Sequence, residues 1–182
     1  MISITIENLA RIEAALRDTP KKVNVVLSRV INRATTTANA TMAKKVSERY
    51  AVKSGDVKKT VVITRATSSN PNAVIKSAGK RTDFVDFKIT PKILFKGQHN
   101  YSVQILRAGG MKPVYGFAAA SNKWGLFKRK GREREPFSRL MGPAVPQMIG
   151  QEDVISSVER ETMAMIDRRI EAELNFLGIE PR

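Results

Sequence analysis

The chain has no cysteine, one histidine, and aromatic residues at only 6% of its 182 positions. Without cysteine there is no disulfide framework, no thiolate nucleophile and no cysteine-based metal site. A chain of this length can bury a core without such staples, and the composition fits folding in a reducing cytoplasm. His99 sits in Lys96-Gly97-Gln98-His99-Asn100, a polar turn between apparent strands. With no partnered base or converging ligands around it, the expectation is a solvated turn residue and no bound metal or cofactor. Long apolar runs are missing too, the longest being a handful of residues against the roughly 20 that a spanning helix needs. Met1 to Ile6 has neither a basic n-region nor a long h-region, so no secretory signal is expected and no membrane segment.

Catalytic motifs are equally scarce. Gly109-Gly110 and Gly79-Lys80-Arg81 lack the glycine spacing and the Lys-Ser/Thr step of a phosphate-binding loop, and neither GxSxG nor HExxH occurs. Asp83 and Asp86 form the only close acidic pair in the basic middle of the chain. On a strand, residues three apart point to opposite faces, so the expectation is ion pairing with Lys80, Arg81 and Lys88 rather than a joint site. The reading is a protein that is not an enzyme and takes no small-molecule substrate.

What the chain has in abundance is positive charge. Its 32 Lys and Arg against 17 Asp and Glu give +15, distributed as +8 over residues 1–75, +11 over 76–139 and −4 over 140–182. Such asymmetry implies different partners for different faces, or an acidic end of one copy docking on the basic body of another. The densest feature is Phe127-Lys128-Arg129-Lys130-Gly131-Arg132-Glu133-Arg134, with five cations in eight residues. Placed after an apparent strand and broken by glycine, it reads as an exposed hairpin tip or arm. Lys128, Arg129, Lys130, Arg132 and Arg134 are therefore the candidate contact residues. Aromatics do not alternate with these cations along the sequence as a single-strand stacking platform requires. A nucleic-acid contact here would be to phosphates, without sequence readout. The competing partner is an acidic protein surface, favoured on the expectation that assembly needs lasting register and that passing DNA must slide.

Periodicity predicts an α+β fold, mainly an antiparallel sheet packed by a long N-terminal helix and a C-terminal helix. Ile2, Ile4 and Ile6 alternate as in a strand, and Leu9, Ile12 and Leu16 switch to helical spacing. Thr19-Pro20 opens a helix whose stripe runs from Val23 through Val30 and Ala38 to Val46, with a far end expected to project or to meet a neighbour. Ser54 is the expected cap of a short helical turn, and strands are expected at 60–65 and 73–77, around Phe84 to Ile89, at Tyr101 to Ile105, and as a hairpin of 115–119 with 124–127. Val154 to Leu177 carries a closing helical stripe ended by Gly178. One domain over 1–182 is expected: strand plus helical segment at 1–50, a sheet region at 54–127, a basic, Pro/Gly-rich loop at 128–150 and the C-terminal helix at 151–178.

Three segments in order resemble the phage minor tail protein Z family, the tail completion proteins. Gly79-Lys80-Arg81 leading to Phe84 and Phe87 is similar to that family's Gly-Lys-Arg step. Gly125 to Gly131 resembles its aromatic strand running into a basic turn, and Pro136 to Pro146 resembles its Pro-x-x-x-Leu-Tyr-Gly-Pro-Ser-x-Pro signature. Pro136, Leu140, Gly142, Pro143 and Pro146 match that signature, while Met141 replaces its tyrosine and Ala144 its serine. The resemblance covers roughly residues 20–150. It implies a structural virion protein at the head-proximal end of a phage tail, made in the bacterial host cytoplasm and acting in tail completion and head–tail joining. The implied partners are other tail and neck proteins and further copies of this chain in a ring, six-fold by analogy with tail symmetry. The alternative is a basic, sequence-independent nucleic-acid-binding accessory protein.

Overall fold

Val26, Leu27, Val30 and Ala34 recur at helical spacing on helix α1 (Pro20–Arg49), and Ile166, Ile170 and Leu174 do so on the closing helix, α4 (Glu152–Phe176). In the computed structural model, which describes residues 20–96, 99–120, 123–133 and 135–176, these two stripes pack on each other as one buried cluster. The two amphipathic helices satisfy one another along this seam. The predicted segments at Ile2–Ile6 and Leu9–Leu16, the Thr19 cap and the Gly178 stop lie outside the described residues.

The fold is α+β, with antiparallel strand pairs between the long helices. Among the described residues, helix α2 (Ser54–Lys59), ten strands and helix α3 (Val145–Ile149) follow in sequence between α1 and α4. The strands are β1 (Val61–Thr64), β2 (Val74–Ser77), β3 (Arg81–Asp83), β4 (Lys88–Thr90), β5 (Tyr101–Gln104), β6 (Lys112–Val114), β7 (Phe117–Ala120), β8 (Trp124–Arg129), β9 (Phe137–Arg139) and β10 (Met141–Ala144). They pair as four small antiparallel sheets, β1-β2, β3-β10, β4-β5-β6 and β7-β8-β9.

The described residues group into two compact units, one drawn from Met1–Met42, Val61–Ser77 and Gln151–Arg182, the other from Ala43–Thr60 and Ala78–Gly150. In the first, α1 and α4 run antiparallel: Arg29 meets Glu173 and Thr41 meets Glu161, so the partner number falls as the other rises. Glu173 is buried and closed by two guanidiniums, Arg169 at 2.6 Å and Arg29 at 3.4 Å. Asn32 on α1 both donates to and accepts from the Ala66 backbone, each at 2.9 Å, and so holds the chain just after β1.

The second unit begins with the last turns of α1, where Ala43 and Val46 are fully buried. The far end of this helix therefore does not project. The chain beyond it is tied to β5 and its sequel, Ala51 donating to Ile105 and Arg107 donating to the Ser47 carbonyl. Lys53, not Ser54, occupies the N-cap of α2, and its side chain caps nothing. Residues expected to be loop in 128–150 are largely regular. β9 pairs with β8, β10 pairs with β3, and Val145–Ile149 is helical, its entry held by the Gln147 side chain accepting from Ala144 N–H. Glycine and proline in this stretch signalled loop by composition. Pro143 is tolerated because β10 is an edge strand, paired on one side only and bulged.

Candidate functional site

The basic run is the tip of a β-hairpin, as its sequence suggested. β8 and β9 are in register through Phe127↔Arg139, Lys128↔Ser138 and Arg129↔Phe137, and Lys130 N–H donates to the Pro136 carbonyl at 3.0 Å. The pairing of β7 with β8 ends at Phe117↔Phe127. From Lys128 onward the structure is therefore a two-stranded ribbon, and Lys128, Arg129, Lys130, Arg132 and Glu133 are all exposed on it. None of these four cations forms an ion pair among the described residues. Arg134 lies outside the described residues.

Side chains alternate across a strand, so Lys128 leaves one face of the ribbon and Arg129 the other. On the Arg129 face, phenylalanines from three strands gather. Phe127 lies 6.1 Å from Phe117 and 5.3 Å from Phe137 between ring centroids, and Phe117 and Phe137 are 5.9 Å apart. Two guanidiniums cover them, Arg129 at 5.9 Å from the Phe117 ring and Arg139 at 5.4 Å from Phe127, within cation–π range. Aromatic and cationic side chains thus do interleave here. The sequence hid this because Phe117 and Phe137 reach the site from the neighbouring strands.

The hairpin is fixed at its base by charge. Asp83, at the end of β3 and only 4% exposed, forms an ion pair with Arg139 Nε, a close contact without hydrogen-bond alignment. Arg139 Nη2 also donates to the Trp124 carbonyl at 3.0 Å. Lys123, just before β8, lies 3.4 Å from Asp86 and 3.9 Å from Asp83. The two carboxylates therefore share a partner after all, and it is neither Lys80, Arg81 nor Lys88. Residues Phe84–Asp86 form a 3-10 turn instead of continuing β3, and the turn swings Asp86 round to the same lysine. Gly125 makes room for this clamp, since a Cβ there would sit 2.6 Å from the Arg139 guanidinium.

The signature residues surround the same base. Arg81 donates to the Gly142 carbonyl at 3.2 Å and to the Met141 carbonyl at 2.9 Å. A Cβ on Gly142 would meet the Phe87 ring at 2.7 Å, so that ring requires a glycine beneath it. Leu140 donates to Leu126 and accepts from Phe84. Pro136 closes the hairpin, Pro143 lies in the bulged β10, and Pro146 in α3 accepts from Gly150 N–H at 3.0 Å. Met141 and Ala144, where the chain departs from the signature, are the positions of β10 that pair with β3, to Asp83 and Arg81. Backbone pairing of this kind does not need the missing hydroxyls.

His99 is exposed, with Nδ1 3.1 Å from the Gly116 carbonyl, a contact that uses an Nδ1–H. Among the described residues no three His, Asp or Glu side chains converge as a metal-ligand group, and no helix is long and apolar enough to cross a membrane. Lys123, Gly125 and Arg139 are residues whose roles sequence reasoning passed over, and Arg81, expected to pair with the carboxylates, instead bonds two carbonyls. Each sits in or beside a segment singled out for its motif, but its partner is distant in sequence. Comparison with family models, with curated proteins and with solved structures gives no match.

Proposed function

We propose that this chain is a structural virion protein of a tailed bacteriophage, a minor tail or tail-completion component at the head-proximal end that finishes the tail and joins it to the head. One observation carries the reading. The three segments that resemble the tail-completion family, of which the first is far in sequence from the other two, meet in one place: β3 and its turn, β8, and the stretch from Pro136 through β10. Arg81 and Asp83 from the first, Gly125 from the second and Arg139 and Gly142 from the third make one interlocked base under an exposed arm. A rigid base carrying an exposed charged arm suits a part built into a larger assembly, because the base fixes where the arm's charge is presented. On this reading the chain is not an enzyme, and its partners are tail and neck proteins and further copies of itself in a ring, with six favoured.

Purified particles provide the test. The protein is expected in them at a fixed stoichiometry, and its loss is expected to leave filled heads and separate tails. Complete, infectious particles without the chain would overturn the assignment. Its absence from particles, together with duplex binding by the free protein, would favour the nucleic-acid-binding accessory reading, which the uneven charge of the two units supports.

A further inference from the structure

The second unit holds nearly all of the chain's excess charge: 20 Lys and Arg against 6 Asp and Glu, whereas the first holds 12 against 11. The hairpin is the most concentrated part of that field. Its cations are exposed and without ion pairs among the described residues, and alternation puts them on both faces of a two-stranded ribbon. From these observations we infer that Lys128, Arg129, Lys130 and Arg132 of this hairpin form a sequence-independent site for the phosphate backbone of a nucleic-acid duplex.

Geometry separates this ligand from an acidic protein surface. A duplex major groove, about 12 Å wide, admits a two-stranded β-ribbon and presents phosphates on both of its walls. A ribbon with Lys128 on one face and Arg129 on the other can meet both walls at once. A broad acidic protein surface lies to one side and would engage only one face. Arg129 is held over the Phe117 ring, so its planar guanidinium is partly ordered before any ligand arrives. The ribbon offers no Asn or Gln to bond adenine edges, and readout of guanine edges by its Lys and Arg would show as unequal affinity for unrelated sequences. Its return limb carries Glu133 and Glu135 on either side of Arg134, so its charge is less favourable to phosphate than that of the outgoing limb, and the outgoing limb makes the main contact. Sequence-independent electrostatic binding also permits sliding along a duplex, so a passing DNA does not require the arm to be neutral.

This deepens the assembly reading by naming what its arm holds, and the two fail separately. Absence of the chain from particles overturns the assembly role alone. The duplex contact is tested on the full-length protein with a short labelled duplex of mixed sequence, by anisotropy across a salt series. Four hairpin cations predict a slope of roughly 3–4 in log affinity against log salt, at about 0.9 per phosphate neutralised, and equal affinity for unrelated sequences. K128Q/R129Q/K130Q/R132Q is expected to lower affinity more than about tenfold and to flatten the slope by about 3. Removing four exposed cations elsewhere in the unit, by K53Q/K58Q/K92Q/K96Q, is expected to cost less than about threefold, because the hairpin rather than the field of the whole unit holds the duplex. R129K separates charge from stacking and should lose a few-fold. Equal losses in the two four-site variants would overturn the inference. So would displacement of the duplex by polyglutamate at no higher charge concentration than unlabelled DNA, which would make an acidic protein the partner.

Discussion

The two units of this chain are held together by different physics. In the first, apolar stripes on two long helices bury one another, and the few charges at the seam, Glu173 with Arg29 and Arg169, are satisfied locally. In the second, short strands are locked by individual contacts: a buried carboxylate against a guanidinium, a guanidinium over a ring, glycines where a ring or guanidinium leaves no room for a Cβ. Stripe packing is spread over many residues and tolerates conservative change. Contact locking is concentrated, and one substitution can free a whole hairpin. The charge follows the same division, near balance in the first unit and in large excess in the second. Stability and binding can therefore be separated in the second unit more cleanly than in the first.

The sharpest break comes from Val30→Asp. Val30 is 0% exposed in the α1–α4 cluster, and an unpaired carboxylate there is expected to cost about 4–5 kcal/mol or more. Circular dichroism during denaturant titration reads this directly. A midpoint equal to the parent's would mean that the stripe is not core.

Next in size is Arg139→Ala, which leaves the Asp83 carboxylate buried with, among the described residues, only Lys123 as a cationic partner, 3.9 Å away. Breaking one side of a buried pair costs about 3–5 kcal/mol. Adding Asp83→Asn should recover part of that loss, because the stranded charge is gone. If the double variant were no more stable than Arg139→Ala alone, the ion pair would not be what locks the hairpin base.

The smallest expected effect on stability belongs to the four-site hairpin variant K128Q/R129Q/K130Q/R132Q. Its side chains are exposed and without ion pairs among the described residues, so the unfolding free energy should fall by no more than about 1 kcal/mol, most of it the Arg129 contact with the Phe117 ring. A large destabilisation would show that the arm is structural and would erase the contrast between a locked base and a free tip.

The long helices, most strands and the basic hairpin were legible because each rests on a local pattern. Helical spacing of Val26, Val30 and Ala34, alternation at Tyr101 and Val103, and five cations around one glycine are visible within a few residues. The 3-10 turn at Phe84–Asp86, the strands β9 and β10 within a Pro/Gly-rich stretch and the N-cap at Lys53 were not. At those points a tertiary partner outweighs local propensity: β8 supplies hydrogen bonds to β9, and β3 to β10, whatever the composition suggests.

The candidate site divides in the same way. Its cations were named from sequence, since charge density needs no fold to be seen. Its base of Arg81, Asp83, Lys123 and Arg139, and the ring cluster of Phe117, Phe127 and Phe137, join residues separated by ten to sixty positions. The sequence by itself determined the class of fold, the helix–helix stripes and where the charge is dense. Only the tertiary structure decided which carboxylate is buried, which arginine answers it and which faces of the ribbon the cations take. The physical reason is that hydrophobic periodicity and net charge are sums over neighbours in the chain. Ion pairing and ring stacking depend on distances between groups that only folding brings together.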